Sequence, residues 1–286
     1  MARSGLNPVP LADEPTLQAV IAAGSDSAAL NQALLSLSIQ IRRRAREALT
    51  AGMPVAQVQA GYVQGIDTLV RALLDHALHH MFRTNHPTLG EQIAVVGIGG
   101  YGRAELAPYS DIDLMFLYSA KRTPLVEQLG EYLMLRLLDA GFKLSAAGRS
   151  VDECIRFACE DVTVLTSLLD VRLVWGAAPL LEQLRQRFQS EVVAGREAAF
   201  VEAILAQREA RHQRMGDSRY LLEPNVKEGK GGLRDLQALM WLGRFLYDVR
   251  TADDLVRCGI LDPQSCRIYA RAHRFLWTVR WHLHHL

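Results

Sequence analysis

The chain has 286 residues, of which 49% are hydrophobic and 22% charged, and its formal net charge is +1. This near-neutral charge argues against a dedicated nucleic-acid binder, and no run reaches the roughly eighteen apolar residues that a membrane span requires. The N-terminus also lacks the basic and then apolar pattern of a secretory signal. We therefore expect a cytoplasmic globular protein of one to about three domains that binds neither membrane nor nucleic acid.

Residues 1–88 are predicted to form an N-terminal helical segment. Apolar residues recur at intervals of three and four over 29–49 and over 58–82, which is typical of amphipathic helices. Gly52 and Pro54 interrupt the pattern between these two stretches. The segment is therefore expected to contain a hairpin of two long helices that packs beside the sheet of the next domain.

The stretch 93–118, IAVVGIGGYGRAELAPYSDIDLMFLY, is the most informative part of the chain. Its apolar runs 93–96 and 112–117 have the length and composition of buried strands, and we expect them to be neighbours in one sheet. Between them, the glycine-rich residues 97–102 are predicted to be a loop and residues 103–106 a helical turn. Glycines let a ligand approach the backbone, and free N–H groups at a helix start attract anions. This arrangement predicts a phosphate site.

Two aspartates open the second predicted strand. Asp111 and Asp113 are two residues apart, so their side chains project from the same face of the strand. Mg²⁺ prefers oxygen ligands and is typically held by one or two carboxylates together with substrate phosphates. Asp-x-Asp alone, or Gly-Gly alone, is a weak signal. Together, between two apolar strands, they predict a magnesium site for a nucleoside triphosphate.

These residues resemble a known pattern. A Gly-Gly pair, ten residues and then Asp-x-Asp is similar to the signature of the DNA polymerase β-like nucleotidyltransferases, and Gly99-Gly100 and Asp111-Ile112-Asp113 have this spacing. The longer stretch GGYGRAELAPYSDIDL resembles the N-terminal domain of the bacterial bifunctional uridylyltransferase/uridylyl-removing enzymes, which modify the PII nitrogen-signalling protein. The resemblance implies an α+β fold, in which a small mixed β-sheet of the polymerase β-like type is flanked by helical N-terminal and C-terminal segments.

The resemblance also implies roles for individual residues. Asp111 and Asp113 would be the catalytic residues that bind Mg²⁺. Arg103 is a surface arginine by default, but it would bind a phosphate if the glycine-rich segment holds a triphosphate. The residues near the aspartates that would bind the nucleotide are Gly99, Gly100, Arg103 and Ser110.

The predicted nucleotidyltransferase domain covers 89–176 and continues with helices and one more strand. Residues 123–140 are predicted to be an amphipathic helix and 142–146 a third strand. Ser150 is predicted to be the N-cap of the following helix. The apolar pattern that begins near Glu160 and continues to Gly176 predicts another helix.

The third strand departs from the family pattern. A polymerase β-like site normally has its third carboxylate there, and the uridylyltransferase family often has Gly-His where this chain has Ser145-Ala146. Asp139 and Asp152 flank the strand, but we assign both to helix ends. The sequence therefore identifies two metal-binding carboxylates and no third one.

Residues 177–286 are predicted to form a helical domain associated with the nucleotidyltransferase. The spacing of apolar residues predicts helices over 180–188, 198–215, 233–245 and 263–286. The last of these has no stop signal, which suggests that the chain is truncated. By resemblance, longer members continue into an HD phosphohydrolase domain and then ACT domains. No His-Asp dipeptide occurs in this sequence, so the uridylyl-removing activity is not expected in this chain.

A second motif lies at residues 220–237, YLLEPNVKEGKGGLRDLQ. A basic, glycine-rich loop that leads into a helix predicts a second anion site. The stretch resembles the EP-x-x-K-x-x-x-GGLRD segment of the PII-modifying enzymes, and the resemblance makes Lys227 and Arg234 candidates for contacts with the nucleotide. Alternatively, Arg234 and Asp235 only stabilise the start of the helix.

The two motifs together imply a function. By resemblance, the chain is a Mg²⁺-dependent nucleotidyltransferase that transfers UMP from UTP to a tyrosine of the PII signal protein and releases pyrophosphate. Two alternatives remain open at this point: a nucleotidyltransferase of the same fold with another acceptor, and a non-catalytic module in which nucleotide binding regulates a helical partner surface.

Overall fold

The chain is divided into two compact units. The first, here called the sheet unit, comprises the described residues of Met1–Phe157 and Asp170–Gln186. The second, here called the helical unit, comprises the described residues of Ala158–Leu169 and Arg187–Leu286. The structure is a computed structural model, and it describes residues 8–12, 26–82, 92–119, 122–216 and 225–285.

Two long helices joined by a short turn open the sheet unit. The side chain of Asp26 caps the first helix and accepts two backbone N–H groups of its first turn at 2.9 and 3.1 Å. The helices pack closely, because a Cβ added to Gly65 would lie only 3.1 Å from Cδ1 of Ile41. The predicted hairpin is therefore confirmed. Its elements are α1 (Ser27–Thr50), α2 (Val55–His76) and a π-helical turn (Ala77–Met81).

The sheet has four strands in the order β3-β2-β1-β4. Strand β1 pairs antiparallel with β2 and with β4, whereas β2 pairs parallel with β3. All residues of β1 are buried, which is why its apolar run is continuous rather than alternating. The expected small mixed sheet, with the first two strands as neighbours, is confirmed. The strands are β1 (Ile93–Gly97), β2 (Ile112–Tyr118), β3 (Leu144–Ser150) and β4 (Arg172–Gly176).

The chain crosses from β2 to the parallel strand β3 through helix α4 (Pro124–Asp139). Strand β3 begins two residues later than predicted and continues to Ser150, because it pairs with the whole length of β2. Ser150 then caps α5 (Val151–Glu160), as predicted. Its hydroxyl accepts the N–H of Glu153 at 3.1 Å, and its own N–H donates to the Glu153 carboxylate at 2.7 Å.

The prediction of one helix from 160 to 176 was wrong. Helix α6 (Val162–Leu169) ends early, and the following residues form strand β4 at the free edge of β1. The residues of α6 and those of β4 are both largely apolar, so the spacing of apolar residues does not distinguish a helix from a strand here. Pairing with the distant strand β1 determines that the second stretch is a strand. Two side chains of α2 also bind this strand. Arg71 donates to the carbonyl of Val174 at 2.8 Å, and Asp75 accepts the indole N–H of Trp175 at 2.7 Å.

The remaining helices are close to their predicted positions. Phe200 and Phe245 stack with ring centroids 4.0 Å apart and join two helices of the helical unit. One short helix was not predicted; its N-cap Thr251 and Asp254 form a capping box. These elements are α7 (Ala178–Arg187), a π-helical turn (Phe188–Val193), α8 (Glu197–Arg214), α9 (Leu233–Tyr247), α10 (Ala252–Arg257) and α11 (Pro263–Leu283).

Candidate active site

The glycine-rich segment after β1 is itself helical. Residues Gly99–Gly102 form a single turn, α3, here called the glycine helix. The prediction of a loop at 97–102 followed by a helical turn at 103–106 was therefore wrong. Glycine is a poor helix former, but here close packing requires it. A Cβ on Gly102 would lie 2.1 Å from the carbonyl oxygen of Asp170, and Gly99 has a φ of +54° that favours glycine.

The carboxylate of Asp113 lies directly beside the glycine helix. Its Oδ2 is 3.2 Å from the position that a Cβ on Gly99 would occupy. The backbone reinforces this approach, because the N–H of Ile98 donates to the carbonyl of Asp113 at 3.0 Å. The structure therefore brings together the two halves of the first motif, which are separate in sequence.

Asp111 and Asp113 flank a residue of the core. Ile112 is 1% exposed, whereas Asp111 is exposed and Asp113 half-buried. This alternation is what a strand produces when one face packs inside and the other carries polar groups. Two carboxylates thus lie on the accessible side of the start of β2.

The neighbouring strand carries a hydroxyl, and not a carboxylate, beside Asp113. Asp113 pairs with Ser145 of β3 in the parallel register, and Ser145 and Ala146 are exposed. Within the part of the chain that the structure describes, no group of three or more His, Cys, Asp or Glu side chains is arranged to hold a metal ion. Asp139 and Asp152 lie in helices, as expected, at the end of α4 and in the first turn of α5.

Arg103 ends the glycine helix and is held by two carboxylates. Its guanidinium donates to Glu105 at 3.0 Å and to the buried Asp170. Burial alone would lower the pKa of Arg103, but Asp170 and Glu105 outweigh burial and raise that pKa above its ordinary value. Arg103 is therefore a fixed positive charge beside Gly100, since one guanidinium nitrogen lies 4.0 Å from a Cβ placed on that residue. Its contact with a phosphate stays a prediction.

Ser110 belongs to the turn that delivers the aspartates. Its hydroxyl accepts the N–H of Ala107 at 3.3 Å, and its own N–H donates to the carbonyl of Ala107 at 3.1 Å. Tyr109, beside it, has a φ of +63°, which is uncommon for a residue other than glycine. The geometry assigns Ser110 a role in shaping the turn, and its role in binding substrate stays a prediction.

Sequence reasoning did not identify the residues behind the glycine helix. Asp67 of α2 accepts the hydroxyl of Tyr101, and Arg172 of β4 binds the same carboxylate. The sequence could have indicated that Asp67 has a buried partner. It is a carboxylate among apolar neighbours on a mostly buried helix, and such groups are rarely left unpaired. The sequence did not indicate its partners.

The described part of the second motif, residues 225–235, is a compact turn in the helical unit; residues 220–224 lie outside the described part of the chain. The side chain of Asn225 accepts the N–H groups of Lys227 at 3.0 Å and Glu228 at 2.9 Å, and the N–H of Gly231 donates to Asp235 at 2.7 Å. The turn therefore uses many of its own amides. Lys227 and Arg234 keep polar contacts with Glu228 at 3.8 and 3.6 Å.

Asp235 attaches this turn to helix α8. Its carboxylate contacts Arg211 and accepts a hydrogen bond from Nε2 of His212 at 3.0 Å. Burial opposes ionisation of Asp235, but the Gly231 N–H, His212 and Arg211 together hold its pKa below the ordinary value. The alternative role in stabilising the helix start is thus well supported for Asp235. The role of Lys227 and Arg234 in contacts with the nucleotide stays a prediction.

Sequence comparisons agree with both motifs. Residues 199–286 match the family described as GlnD PII-uridylyltransferase, and residues 7–131 match the family described as glutamate-ammonia ligase adenylyltransferase. The bifunctional uridylyltransferase/uridylyl-removing enzyme of Azospirillum brasilense is 53% identical over 220 residues, which are 77% of this chain and 24% of that protein. The enzyme of the same name from Rhodospirillum rubrum is 46% identical over 259 residues, 91% of this chain and 27% of the relative.

The chain therefore spans about a quarter of the length of the curated relatives it matches. The resemblance found from the two motifs is confirmed, and it concerns the N-terminal part of those relatives. Both relatives carry the name of a uridylyltransferase, which is one kind of nucleotidyltransferase. Among the helices described for this chain, none is long and apolar enough to cross a membrane.

Proposed function

We propose that this chain, which resembles the N-terminal part of the bifunctional uridylyltransferase/uridylyl-removing enzymes, is a Mg²⁺-dependent nucleotidyltransferase of the polymerase β-like type. It transfers UMP from UTP to a tyrosine of the PII protein in the cytoplasm. The observation that carries the proposal is the carboxylate of Asp113 against Gly99, next to the exposed Asp111. Only the transferase half of the relatives' name is assigned to this chain.

The two aspartates fit a magnesium ion by their chemistry. Carboxylate oxygens are the ligands that Mg²⁺ prefers, and it usually retains substrate phosphates and water in its other positions. Asp111 is exposed and Asp113 half-buried, so neither would need to leave the core to bind. When bound, Mg²⁺ would supply positive charge that stabilises the negative charge on the reacting phosphate and on the leaving pyrophosphate. Asp111 and Asp113 would hold it.

The neighbouring residues bind and orient the triphosphate. Gly99 and Gly100 lack side chains, so phosphate oxygens approach the backbone closely, and the fixed charge of Arg103 lies beside them. Ser110 shapes the turn that leads to Asp111. Lys227 and Arg234 contribute further contacts with the nucleotide. The acceptor hydroxyl attacks the α-phosphate and gives up its proton to solvent. A new P–O bond forms, the bond from the α-phosphorus to the oxygen bridging to the β-phosphate breaks, and pyrophosphate leaves with the electrons of that bond.

The identity of acceptor and base rests on the relatives rather than on geometry. The PII protein appears in the description of the family that matches residues 199–286. A second candidate function is supported by the two-carboxylate site, since strand β3, whose Ser145 pairs with Asp113, carries no carboxylate. In that case the chain binds a nucleotide without transferring it. A third candidate is transfer to another acceptor by the same site.

The experiment is a transfer assay with purified PII, Mg²⁺ and labelled UTP, ATP, CTP or GTP in parallel. The proposal expects labelling of PII by UTP, loss of labelling with a chelator, and release of one pyrophosphate per label. Labelling from ATP in place of UTP would reject the base assignment. Mg²⁺-dependent binding of UTP without transfer would reject catalysis and favour the regulatory module.

A further inference from the structure

A buried polar network lies behind the glycine helix, on the side away from solvent. Tyr101, inside the helix, is fully buried, and its hydroxyl donates to Oδ1 of Asp67 at 2.6 Å. Arg172 donates to the two oxygens of the same carboxylate at 2.6 and 3.0 Å. Such a bidentate pair has a fixed geometry as well as a favourable energy. Asp67 thus joins helix α2, the glycine helix and strand β4.

Arg172 also binds the glycine helix directly. One guanidinium nitrogen donates to the backbone carbonyl of Tyr101 at 3.2 Å, and Cζ lies 5.1 Å from the centroid of the Tyr101 ring. Burial and then the charge of Asp67 raise the pKa of the Tyr101 hydroxyl well above its ordinary value, so it remains a donor. The ring, hydroxyl and carbonyl of one residue are therefore all fixed.

The network is linked to the Asp111/Asp113 pair by short contacts. A Cβ on Gly97 would lie 2.9 Å from Cδ1 of Tyr101, so the ring packs against the end of β1. Two residues before Tyr101, a Cβ on Gly99 would lie 3.2 Å from Oδ2 of Asp113, so this glycine lies beside the carboxylate. A shift of Tyr101 would consequently move Gly99 relative to Asp113, because a helical turn of four residues is too short to absorb it.

We propose that Asp67 is a positioning residue that, through Tyr101 and Arg172, sets the position of the glycine helix relative to Asp113. The inference rests on the proposed function in one respect, namely that this helix binds the phosphates. Asp67 lies on α2, outside both sequence motifs, and does not contact the substrate. It acts through the hydroxyl of Tyr101 and the guanidinium of Arg172.

The chain supplies a matched control on the same helix. Asp75 also joins α2 to β4, through the indole N–H of Trp175 at 2.7 Å, and it lies about two helical turns after Asp67 on the same helix. If Asp67 only fastened α2 to the sheet, Asp67→Asn and Asp75→Asn would have equivalent effects. If Asp67 positions the glycine helix, only Asp67→Asn and Tyr101→Phe change the site.

The first measurement uses no nucleotide. Hydrogen exchange of peptides that cover residues 97–105 is compared by mass spectrometry in the full chain and the variants Asp67→Asn, Tyr101→Phe and Asp75→Asn. We expect roughly tenfold faster exchange there in the first two variants, because each loses a buried hydrogen bond to a charged group. The third is expected to match the wild type at these residues. Unchanged exchange in both Asp67→Asn and Tyr101→Phe would overturn the proposal.

The second measurement separates positioning from stability. With UTP, Mg²⁺ and PII, Asp67→Asn and Tyr101→Phe are expected to lower kcat about tenfold with a smaller change in KM, because misplaced reacting groups slow the chemical step. Asp75→Asn should leave both constants unchanged. An unchanged kcat despite faster exchange would overturn the positioning role.

Failure of the proposed function is distinguishable from failure of this inference. A wild-type chain without transfer activity would reject the proposed function, whereas the exchange measurement would still decide whether Asp67 fixes the glycine helix. If Asp67→Asn loosened the whole sheet unit, Tyr101→Phe would decide, since it keeps the ring and the Asp67–Arg172 pair. Selective loosening at 97–105 in that variant supports the proposal, and its absence overturns it.

Discussion

The glycine helix of the sheet unit, with Arg103 directly after it, and the 225–232 loop of the helical unit have similar compositions, since each combines glycines with at least one basic residue and is followed by an aspartate. In the first, the aspartate comes from the next strand, and Asp113 stays half-buried against Gly99. In the second, Asp235 accepts the N–H of Gly231 and binds Arg211, so its carboxylate is occupied by contacts within the helical unit. Segments of similar composition therefore differ in structure. The carboxylate of Asp113 remains accessible in the sheet unit, whereas that of Asp235 is part of an internal hydrogen-bonded turn in the helical unit.

This difference changes what a glycine-rich motif implies. Glycines before a helix indicate an anion site only if the backbone N–H groups remain available to a ligand. In the 225–232 loop, the side chains of Asn225 and Asp235 already accept three of them. Any anion bound by this loop must therefore be bound mainly by its side chains. The comparison predicts a loss of catalysis for variants of Asp113 and a loss of stability for variants of Asp235.

The largest expected effect is on catalysis. Asp111→Asn and Asp113→Asn keep the side-chain shape but remove a charged ligand, so each should reduce uridylyl transfer at least ~100-fold, which corresponds to about 3 kcal/mol of transition-state stabilisation. The melting temperature should change little, because neither side chain belongs to the core. The measurement is Mg²⁺-dependent incorporation of labelled UMP into PII.

Glu131→Gln is the matched control for this prediction, since Glu131 is an exposed carboxylate on α4 of the same unit. It should retain full activity. Comparable activity in the Asp113→Asn and Glu131→Gln variants would reject the assignment of Asp113 to the metal, and with it the contrast between the two motifs.

The second largest effect is on stability. Asp235→Asn removes the charged partner of Arg211 and His212, whose side chains are 9% and 2% exposed. An uncompensated buried charge is costly, and we expect a loss of about 2–3 kcal/mol in the free energy of unfolding of the helical unit. Urea unfolding followed by tryptophan fluorescence reports this unit, because three of the four tryptophans, Trp241, Trp277 and Trp281, belong to it.

Glu202→Gln provides the comparison for Asp235→Asn, because Glu202 is an exposed carboxylate on α8. Its unfolding midpoint should match the wild type. If Asp235→Asn also unfolds like the wild type, Asp235 does not fasten the loop to α8, and its motif would need another explanation.

The free energy of unfolding at acidic pH should depend on the carboxylate of Asp235. The pKa of Asp235 in the folded protein is held below its ordinary value of 3.8. A depressed carboxyl pKa contributes stability that is complete above the unfolded pKa and is lost as pH falls through the folded pKa. The wild type should therefore exceed Asp235→Asn by a constant amount at neutral pH, and the difference should shrink below 3.8. Urea unfolding at several pH values checks this, and a difference that persists unchanged in acid would contradict it.

The contrast between the units also explains which features were predictable. Strands β1 and β2 and the Asp111/Asp113 pair follow from local composition, because a continuous apolar run and two carboxylates on either side of an apolar residue need no distant partner to be recognised. The capping by Ser150 is equally local. The second motif was recognisable, but its internal turn depends on Asp235 binding α8.

Features that depend on distant partners were not predictable. The glycine helix opposes the intrinsic preference of glycine and exists because Gly102 packs on the backbone of Asp170. Strand β4 pairs with a strand that lies about 75 residues earlier, and its apolar pattern also suits a helix. Asp67 and its partners are 34 and 105 residues apart in sequence. No local pattern identifies such a network.

The smallest expected effect concerns the side chains of the 225–232 loop. If the loop binds the nucleotide only through side chains, Lys227→Ala should raise the KM for UTP roughly fivefold and leave kcat nearly unchanged, because one charge-assisted contact to a phosphate is lost in ground state and transition state alike. The fold should be retained, since Asn225 and Asp235 keep the turn closed.

Lys230→Ala is the matched control, because Lys230 is an exposed lysine of the same loop. It should leave KM unchanged. A KM that matches the wild type in both variants would remove the loop from the nucleotide site and leave Asp235 and its turn with a structural role alone, whereas a selective effect of Lys227→Ala would show that a turn with occupied amides still binds an anion through one side chain.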